Sequence, residues 1–302
     1  MPRKLITILG PTACGKTKLA AQLCFHFNGE IISADSRQVY KGMNIGTGKD
    51  YDDYLVNGKK IPYHLLDVIE PVDEYNVFQF QRDVQNSITK IISHNKLPFL
   101  VGGTGLYLSS ILQNYKMNKA EFDTEHIKEY ESLPTDELKK MLLKVNPELH
   151  NTTDLIERDR IISAIVVHQH SQSTSSIKIE AKHLIIGVSP QREVIIQRIK
   201  SRLKKRLDEG MIEEVKQLHE NGVTHERLQR FGLEYKFISQ YLLNELNYND
   251  MFQKLNSAIN AFAKRQMTWF RKMEREGVNI NWIKEPSFNK AKEIIERNLF
   301  VN

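Results

Sequence analysis

Cysteine is nearly absent: Cys14 and Cys24 are the only two in 302 residues. Two thiols cannot build a disulfide framework, and they lack the partner spacing of a zinc site. A reduced, intracellular setting is expected. Every apolar run is far too short to span a bilayer, and the first apolar strand starts within a few residues of Met1, leaving no room for a signal peptide. The expectation is a soluble cytoplasmic protein that does not use a membrane. Repeats, low-complexity tracts and heptads are also missing, which sets aside solenoids and coiled coils. His168 and His170 stand close in "HQHSQSTSS", but no third ligand is near, so the stretch reads as a polar loop. Neither sign of charge dominates: 43 Lys and Arg oppose 37 Asp and Glu, a net +6. An excess of this size suggests an anionic partner without proving one.

The excess is local. Residues 191–210 hold seven basic and three acidic side chains, and 264–275 hold five basic and one acidic, with Trp269 and Phe270 among them. Either stretch alone reads as a solvated helix face. Together, with the aromatic pair, they point towards nucleic acid.

Against these absences stands "ILGPTACGKT", residues 8–17. Gly10 and Gly15-Lys16-Thr17 fit the G-x-x-x-x-G-K-[ST] pattern, between an apolar strand and the amphipathic run "KTKLAAQLCFHF". Backbone N–H groups of Gly10, Pro11–Cys14 and Gly15 (Pro11 excepted) can curl around phosphate oxygens, Lys16 neutralises charge, and Thr17 can offer its hydroxyl to Mg²⁺. The helix dipole adds to the grip. A bound diphosphate is the expectation.

Further short apolar runs at 30–36, 98–105 and 182–190 alternate with helical patterns, the clearest being 83–95. This predicts an α/β fold, a parallel P-loop sheet covered by helices. Between 116 and 181 the strand signal disappears, and charged helical pieces predict a helical insertion. The core is therefore expected over 1–115 and 182–302. After 188 the chain reads as long helices, stopped by Gly210, Gly222 and Gly277.

The phosphate loop lacks the partner usual in an ATPase or GTPase, an Asp ending a second apolar strand. Phe99-Leu100-Val101 runs instead into Gly102-Gly103-Thr104-Gly105. Asp35, in "SADSRQVY", is the carboxylate expected at the ligand-binding edge of the sheet. It could simply cap a following helix. Facing a diphosphate, it suits another division of labour. Loop, Lys16 and Mg²⁺ would stabilise a diphosphate leaving carbon, while Asp35 takes a proton from an incoming amine such as adenine N6.

The segments "GPTACGKT", "ISADSRQVYKGMNIGTGK", "IPYHLLDVIEPVDEYNVFQF" (61–80), "VGGTGLY" and "AKRQMTWFRK" occur in that order. Through them the chain resembles the tRNA dimethylallyltransferases, also called tRNA isopentenyltransferases. The resemblance implies transfer of a five-carbon prenyl group from dimethylallyl diphosphate to N6 of adenine 37, next to the tRNA anticodon. It implies that Asp35 is the general base, acting with Lys16 and Thr17. Gly10, Pro11, Thr12, Ala13, Cys14, Gly15, Lys16, Thr17 and Arg192 would hold the prenyl diphosphate rather than ATP. Ser36, Arg37, Gln38, Thr104, Arg160, Arg265 and Gln266 would meet tRNA or a flipped adenine. The insertion would grip the anticodon stem, and a monomer is expected.

Some positions depart from the family pattern: Ser163 and Val166 in "RIISAIV", Leu233 in "GLEY", and Gly48 and Asp50 where Ala and Pro are usual. These are expected mainly in tRNA-facing helices, bearing on tRNA preference. Three other readings share the loop: a prenyltransferase of free AMP or ADP, a small-molecule kinase, and a non-catalytic RNA-binding module.

Overall fold

The structure is a computed structural model describing residues 4–113, 119–120, 130, 132–145, 158, 161–162, 164–165, 171–172 and 181–299. Two compact units divide the chain, one formed by Met1–Gln113 with Ile179–Asn302 and the other by Asn114–Lys178.

The first unit is built on strands β1 (Lys4–Leu9) and β2 (Gly29–Ala34), joined by helix α1 (Lys16–Phe27). An antiparallel pair, β3 (Leu55–Val56) and β4 (Lys59–Lys60), precedes β5 (Tyr63–His64). Helix α2 (Val77–Ser93), β6 (Leu97–Gly102) and α3 (Gly105–Leu112) follow. Beyond the second unit come β9 (Lys182–Val188) and β10 (Asn281–Ile283), which close a six-stranded sheet of order β10-β9-β1-β6-β2-β5 with every pairing parallel. The expected α/β class is found. Strands β1, β2 and β6 are almost wholly buried, as near-continuous apolar runs covered on both faces must be.

Helix α2 starts six residues ahead of the predicted 83–95. Asn76 accepts from the Gln79 N–H while the Gln79 side chain accepts from the Asn76 N–H, a capping box that starts the helix early enough for Val77 and Phe80 to continue the apolar face of Val84, Ile88 and Ile91. Gly210, Gly222 and Gly277 all take positive φ, as the predicted stops require.

In the second unit, helix α4 (Thr135–Val145) packs Leu138 and Leu142 against Tyr130, Ile161, Ile162 and Ile165. Arg158 donates to Thr135 Oγ1 at 3.0 Å and to the Leu133 carbonyl at 2.5 Å. The expectation that no strand occurs here is corrected: β7 (Lys119–Ala120) pairs antiparallel with β8 (Ser171–Gln172). Two residues per strand give no periodicity to read. Arg160, Ser163, Val166, His168 and His170 lie outside the described residues.

At the amino end of β2, opposite the phosphate loop, Glu30 is buried and engaged twice. It accepts from Lys96 Nζ at 2.7 Å and meets His64 Nε2 at 2.6 Å. Burial pushes its pKa up, but the bonds from Lys96 and His64 outweigh that and hold it below the usual carboxylate value. Its stabilising contribution is therefore present above the unfolded-state pKa and is lost as pH falls through the lowered folded value. Glu30→Gln is expected to destabilise by about 1–3 kcal/mol at neutral pH, the usual scale for breaking a buried charged hydrogen bond. In urea melts the gap to the wild type should narrow as pH drops below about 4. A gap independent of pH would show that the carboxylate charge contributes nothing.

Candidate active site

Three neighbouring strands end at one level. Leu9 of β1 pairs with Gly102 of β6, and Gly102 pairs with Ala34 of β2. The residues that follow, Gly10, Gly103 and Asp35, therefore leave the sheet side by side at its carboxyl edge, where an open parallel sheet binds ligands. Gly10 must lack a side chain, because a Cβ there would press on the Val188 carbonyl and Cys14 Sγ.

From this edge the loop turns through Ala13, at φ 61°, and Gly15, at φ 86°, into α1. A left-handed Ala is strained, and its persistence in a loop of this kind marks a backbone shaped for a ligand. Lys16 Nζ donates to the Pro11 carbonyl at 3.2 Å, folding its charge over the loop. Cys14 is buried beneath it. Among the described residues nothing hydrogen-bonds the Thr17 hydroxyl, and no group of three or more His, Cys, Asp or Glu could hold a metal. A cation here would have to share its ligands with a bound phosphate, the usual habit of Mg²⁺.

Asp35 caps no helix; the chain after it forms bends and a turn. Its Oδ1 accepts from the Arg37 N–H at 3.0 Å, which fixes the carboxylate at the strand end. Thr104 Oγ1 accepts from the Ser36 N–H at 3.1 Å, joining the Asp35 and Gly103 turns. Gln38 accepts from Ser33 Oγ at 3.0 Å and donates to the Gly48 carbonyl at 3.0 Å. The structure thus brings together Asp35, Ser36, Arg37, Gln38 and Thr104.

After β9 the chain continues into α5 (Arg192–Asp208), α6 (Met211–Glu220), α7 (His225–Arg230), α8 (Leu233–Leu242) and α9 (Tyr248–Arg275), and after β10 into α10 (Phe288–Leu299). Helix α9 bears on the site directly. Gln266, expected beside Arg265 on the RNA side, is buried: it accepts from the Thr12 N–H at 2.8 Å and donates to the Gly103 carbonyl at 2.9 Å. It braces the phosphate loop against the neighbouring turn. Arg265 is exposed, and its guanidinium lies 5.9 Å from the Phe262 ring centre. Arg37 stands 5.4 Å from the same ring and pairs with Glu234 at 3.2 Å. Phe262 between two guanidiniums went unread in the sequence, since one aromatic in an amphipathic helix carries no signal of its own.

Arg192 opens α5 on an exposed turn. The arginines that line the cavity of about 20 Å³ beside Thr12 and Ala13 are instead Arg202 and Arg206, together with Glu234. Within the basic run 191–210, read above as pointing towards nucleic acid, Arg206 faces inward: its side chain is only 10% exposed and pairs with Asp50 at 3.4 Å. In a run dense with basic residues, helical period alone decides which arginines turn inward. Of the departures, Gly48 and Asp50 lie against Arg202 and Arg206, and Leu233 opens α8.

A second clamp fixes the turn between Asn44 and Asp50. Glu214 of α6 accepts the N–H groups of Asn44, Ile45 and Gly46 at 2.8, 2.7 and 3.0 Å, and the Tyr235 hydroxyl at 2.8 Å. Lys49 is turned inward onto Asp67 Oδ1 at 2.5 Å and the Tyr40 carbonyl at 2.6 Å. Burial pulls its pKa down despite the pull of Asp67 in the other direction.

A family profile described as IPP transferase matches residues 38–273, beginning just past Asp35. Full-length relatives extend the similarity across the phosphate loop. The chain is 47% identical over 301 residues to tRNA dimethylallyltransferase 1 of Geotalea uraniireducens, covering 99% of each chain. It is 49% identical over 298 residues to tRNA dimethylallyltransferase 1 of Azobacteroides pseudotrichonymphae, covering 97% of each. Among solved structures, the tRNA isopentenylpyrophosphate transferase of Bacillus halodurans is 31% identical with a TM-score of 0.67, over 98% of this chain and 94% of that one. A eukaryotic dimethylallyltransferase acting on tRNA shares the fold at a TM-score of 0.75 and 24% identity, over 99% of this chain and 79% of that one.

The bracing by Gln266 is open to test. Gln266→Leu leaves the Thr12 N–H and the Gly103 carbonyl without their partner and should cost about 1–3 kcal/mol. Arg265→Ala, one residue away and exposed, should stay within about 0.5 kcal/mol. Equal midpoints for the two variants in urea melts would refute the assignment.

Proposed function

Since the chain belongs to the IPP transferase family, whose full-length relatives here are tRNA-modifying prenyltransferases, we propose that it moves a dimethylallyl group from dimethylallyl diphosphate to N6 of adenosine 37 in tRNA. Diphosphate leaves as the new C–N bond forms. The observation that carries the reading is the row of Gly10, Gly103 and Asp35 on adjacent strand ends, which sets a phosphate-gripping loop beside one fixed carboxylate.

The loop from Thr12 to Thr17 binds the diphosphate, with Lys16 and the inward Arg202 and Arg206 meeting the charge that grows on the leaving group. Mg²⁺ bound between Thr17 and the diphosphate would add to that stabilisation. Asp35 accepts the N6 proton as the amine attacks, which a delocalised exocyclic nitrogen needs in order to act as a nucleophile. Ser36 and Thr104 hold the turn that carries Asp35, and Arg37 and Arg265 flank Phe262 where a base drawn out of its stack can be received. The unit over Asn114–Lys178 holds the anticodon stem in this reading. The protein acts as a monomer in the cytoplasm, where tRNA is found. Among the described residues no helix is long and apolar enough to cross a membrane.

Free AMP needs no such separate unit, and the full-length relatives are named for tRNA. Incubation with dimethylallyl diphosphate, Mg²⁺ and either tRNA or AMP, read by mass spectrometry, decides between them. Faster prenylation of AMP, or turnover of ATP to ADP, overturns the reading.

Asp35→Asn should lower the single-turnover rate by about 10²-fold or more while leaving tRNA binding intact. A near-normal rate would remove Asp35 from its role.

Salt should separate the two substrates. Lys204 and Lys205 are exposed on α5, and each backbone phosphate they neutralise releases counterions. Between low and physiological salt, tRNA affinity should drop by about an order of magnitude or more and prenyl diphosphate affinity only a few-fold. Lys204→Gln with Lys205→Gln should flatten the tRNA slope, measured by filter binding. Equal slopes for both ligands would count against an extended RNA contact.

A further inference from the structure

Two guanidiniums beside the cavity at Thr12 and Ala13 share a single ion-pair partner. Arg202 and Arg206 lie one helical turn apart on the same face of α5, and both reach the carboxylate of Asp50, at 3.3 and 3.4 Å. Nε of each is buried without a hydrogen-bond partner among the described residues. Burial and the neighbouring Arg206 pull the Arg202 guanidinium below its ordinary pKa. Glu234 lines the same cavity but is already paired with Arg37. Asp50, half exposed to water, is the one carboxylate among the described residues that pairs with both guanidiniums, while Glu234 and Asp53 act on Arg202 without pairing with it.

Asp50 cannot move far. Its turn is held by Glu214 through three backbone N–H groups, by Gln38 through the Gly48 carbonyl, and by Lys49 turned inward onto Asp67. Gly48 takes φ 71°, and a Cβ there would collide with Nη2 of both arginines. Gly48 makes room for the guanidiniums and Asp50 receives them, at the two positions where the chain departs from the usual Ala and Pro. The two guanidiniums lie between this turn and the cavity lined by Thr12 and Ala13.

We propose that Asp50 is a built-in counter-anion that occupies Arg202 and Arg206 when the phosphate loop is empty, yields them to the diphosphate on binding, and reclaims them as the product leaves. This rests on the reading that the loop from Thr12 to Thr17 binds a diphosphate. In consequence Asp50 weakens diphosphate binding and speeds its release. A rigid carboxylate beside the bound ligand repels it, and at these separations such repulsion persists at physiological salt.

The test is Asp50→Asn, with Asp50→Glu as the charge-preserving control, probed with inorganic diphosphate and Mg²⁺. By calorimetry the Asn variant should bind diphosphate about tenfold more tightly than the wild type, and the Glu variant about as weakly as the wild type. Without ligand the Asn variant should melt at a lower temperature, because the buried Arg206 and the partly exposed Arg202 have lost their shared partner. Saturating diphosphate should close that gap, since a ligand that binds the variant more tightly stabilises it more. In turnover with tRNA, the Asn variant should complete a first turnover and then slow as product is retained. Diphosphate binding by Asp50→Asn that is unchanged or weaker than wild type, or a melting gap that diphosphate leaves open, would overturn the proposal and make the contact a structural ion pair. A wild-type protein that binds no diphosphate would instead overturn the reading of the phosphate loop, and this proposal with it.

Discussion

Leu9, Gly102 and Ala34 are neighbours in one row of the parallel sheet, and every other feature of the site follows from that register. A parallel sheet releases its chain at the same edge from each strand, so three turns emerge together, and the bond from the Ser36 N–H to Thr104 Oγ1 ties two of them to each other. Glycines at two of those exits keep the backbone accessible. The third exit carries the only carboxylate among them, and its position is set by the end of β2 before any side-chain interaction is counted. A shift of β2 by one residue would turn Asp35 to the opposite face of the sheet.

The sequence made some of this readable and left the rest hidden, along a clear physical line. The phosphate loop and Asp35 are local: their meaning lies in glycine spacing, a strand pattern and one acid at a strand end. The family resemblance through "GPTACGKT" and "AKRQMTWFRK" extended the reading to activity and substrate. The bracing groups are not local. Gln266 meets Thr12 across 254 positions of sequence, and Glu214 meets Asn44 across 170. Nothing in a Gln within a basic amphipathic helix distinguishes a residue that faces RNA from one that holds two backbone groups indoors. The same ambiguity hid Arg202 and Arg206 within a stretch of seven basic residues. Composition revealed the charge there, and only the fold assigned it to inner and outer faces.

Charge is accordingly used in two ways. Exposed lysines on α5 and α9 add to a diffuse positive field that acts through solvent and fades with salt. Buried arginines and carboxylates work at contact distance, where each group must be matched. Arg37 with Glu234, Lys49 with Asp67, and Glu30 with Lys96 and His64 are each close to balanced. The pair of arginines on Asp50 is the exception, and it lies against the phosphate loop.

The dependence of Thr12 on Gln266 also bears on how the protein is made. Synthesis runs from the amino terminus, and domains generally fold as units as they emerge. Here the phosphate loop leaves the ribosome 254 residues ahead of Gln266, the amide of α9 that braces it. Lys4 Nζ in β1 bonds the Leu299 carbonyl at 2.6 Å, and β10 pairs with β9 only after residue 281 has appeared. The phosphate loop of the nascent chain therefore waits unbraced until α9 has emerged. A fragment truncated before α9 would expose the loop without the amide that shapes it, and contacts so distant in sequence place this fold among the slower to form.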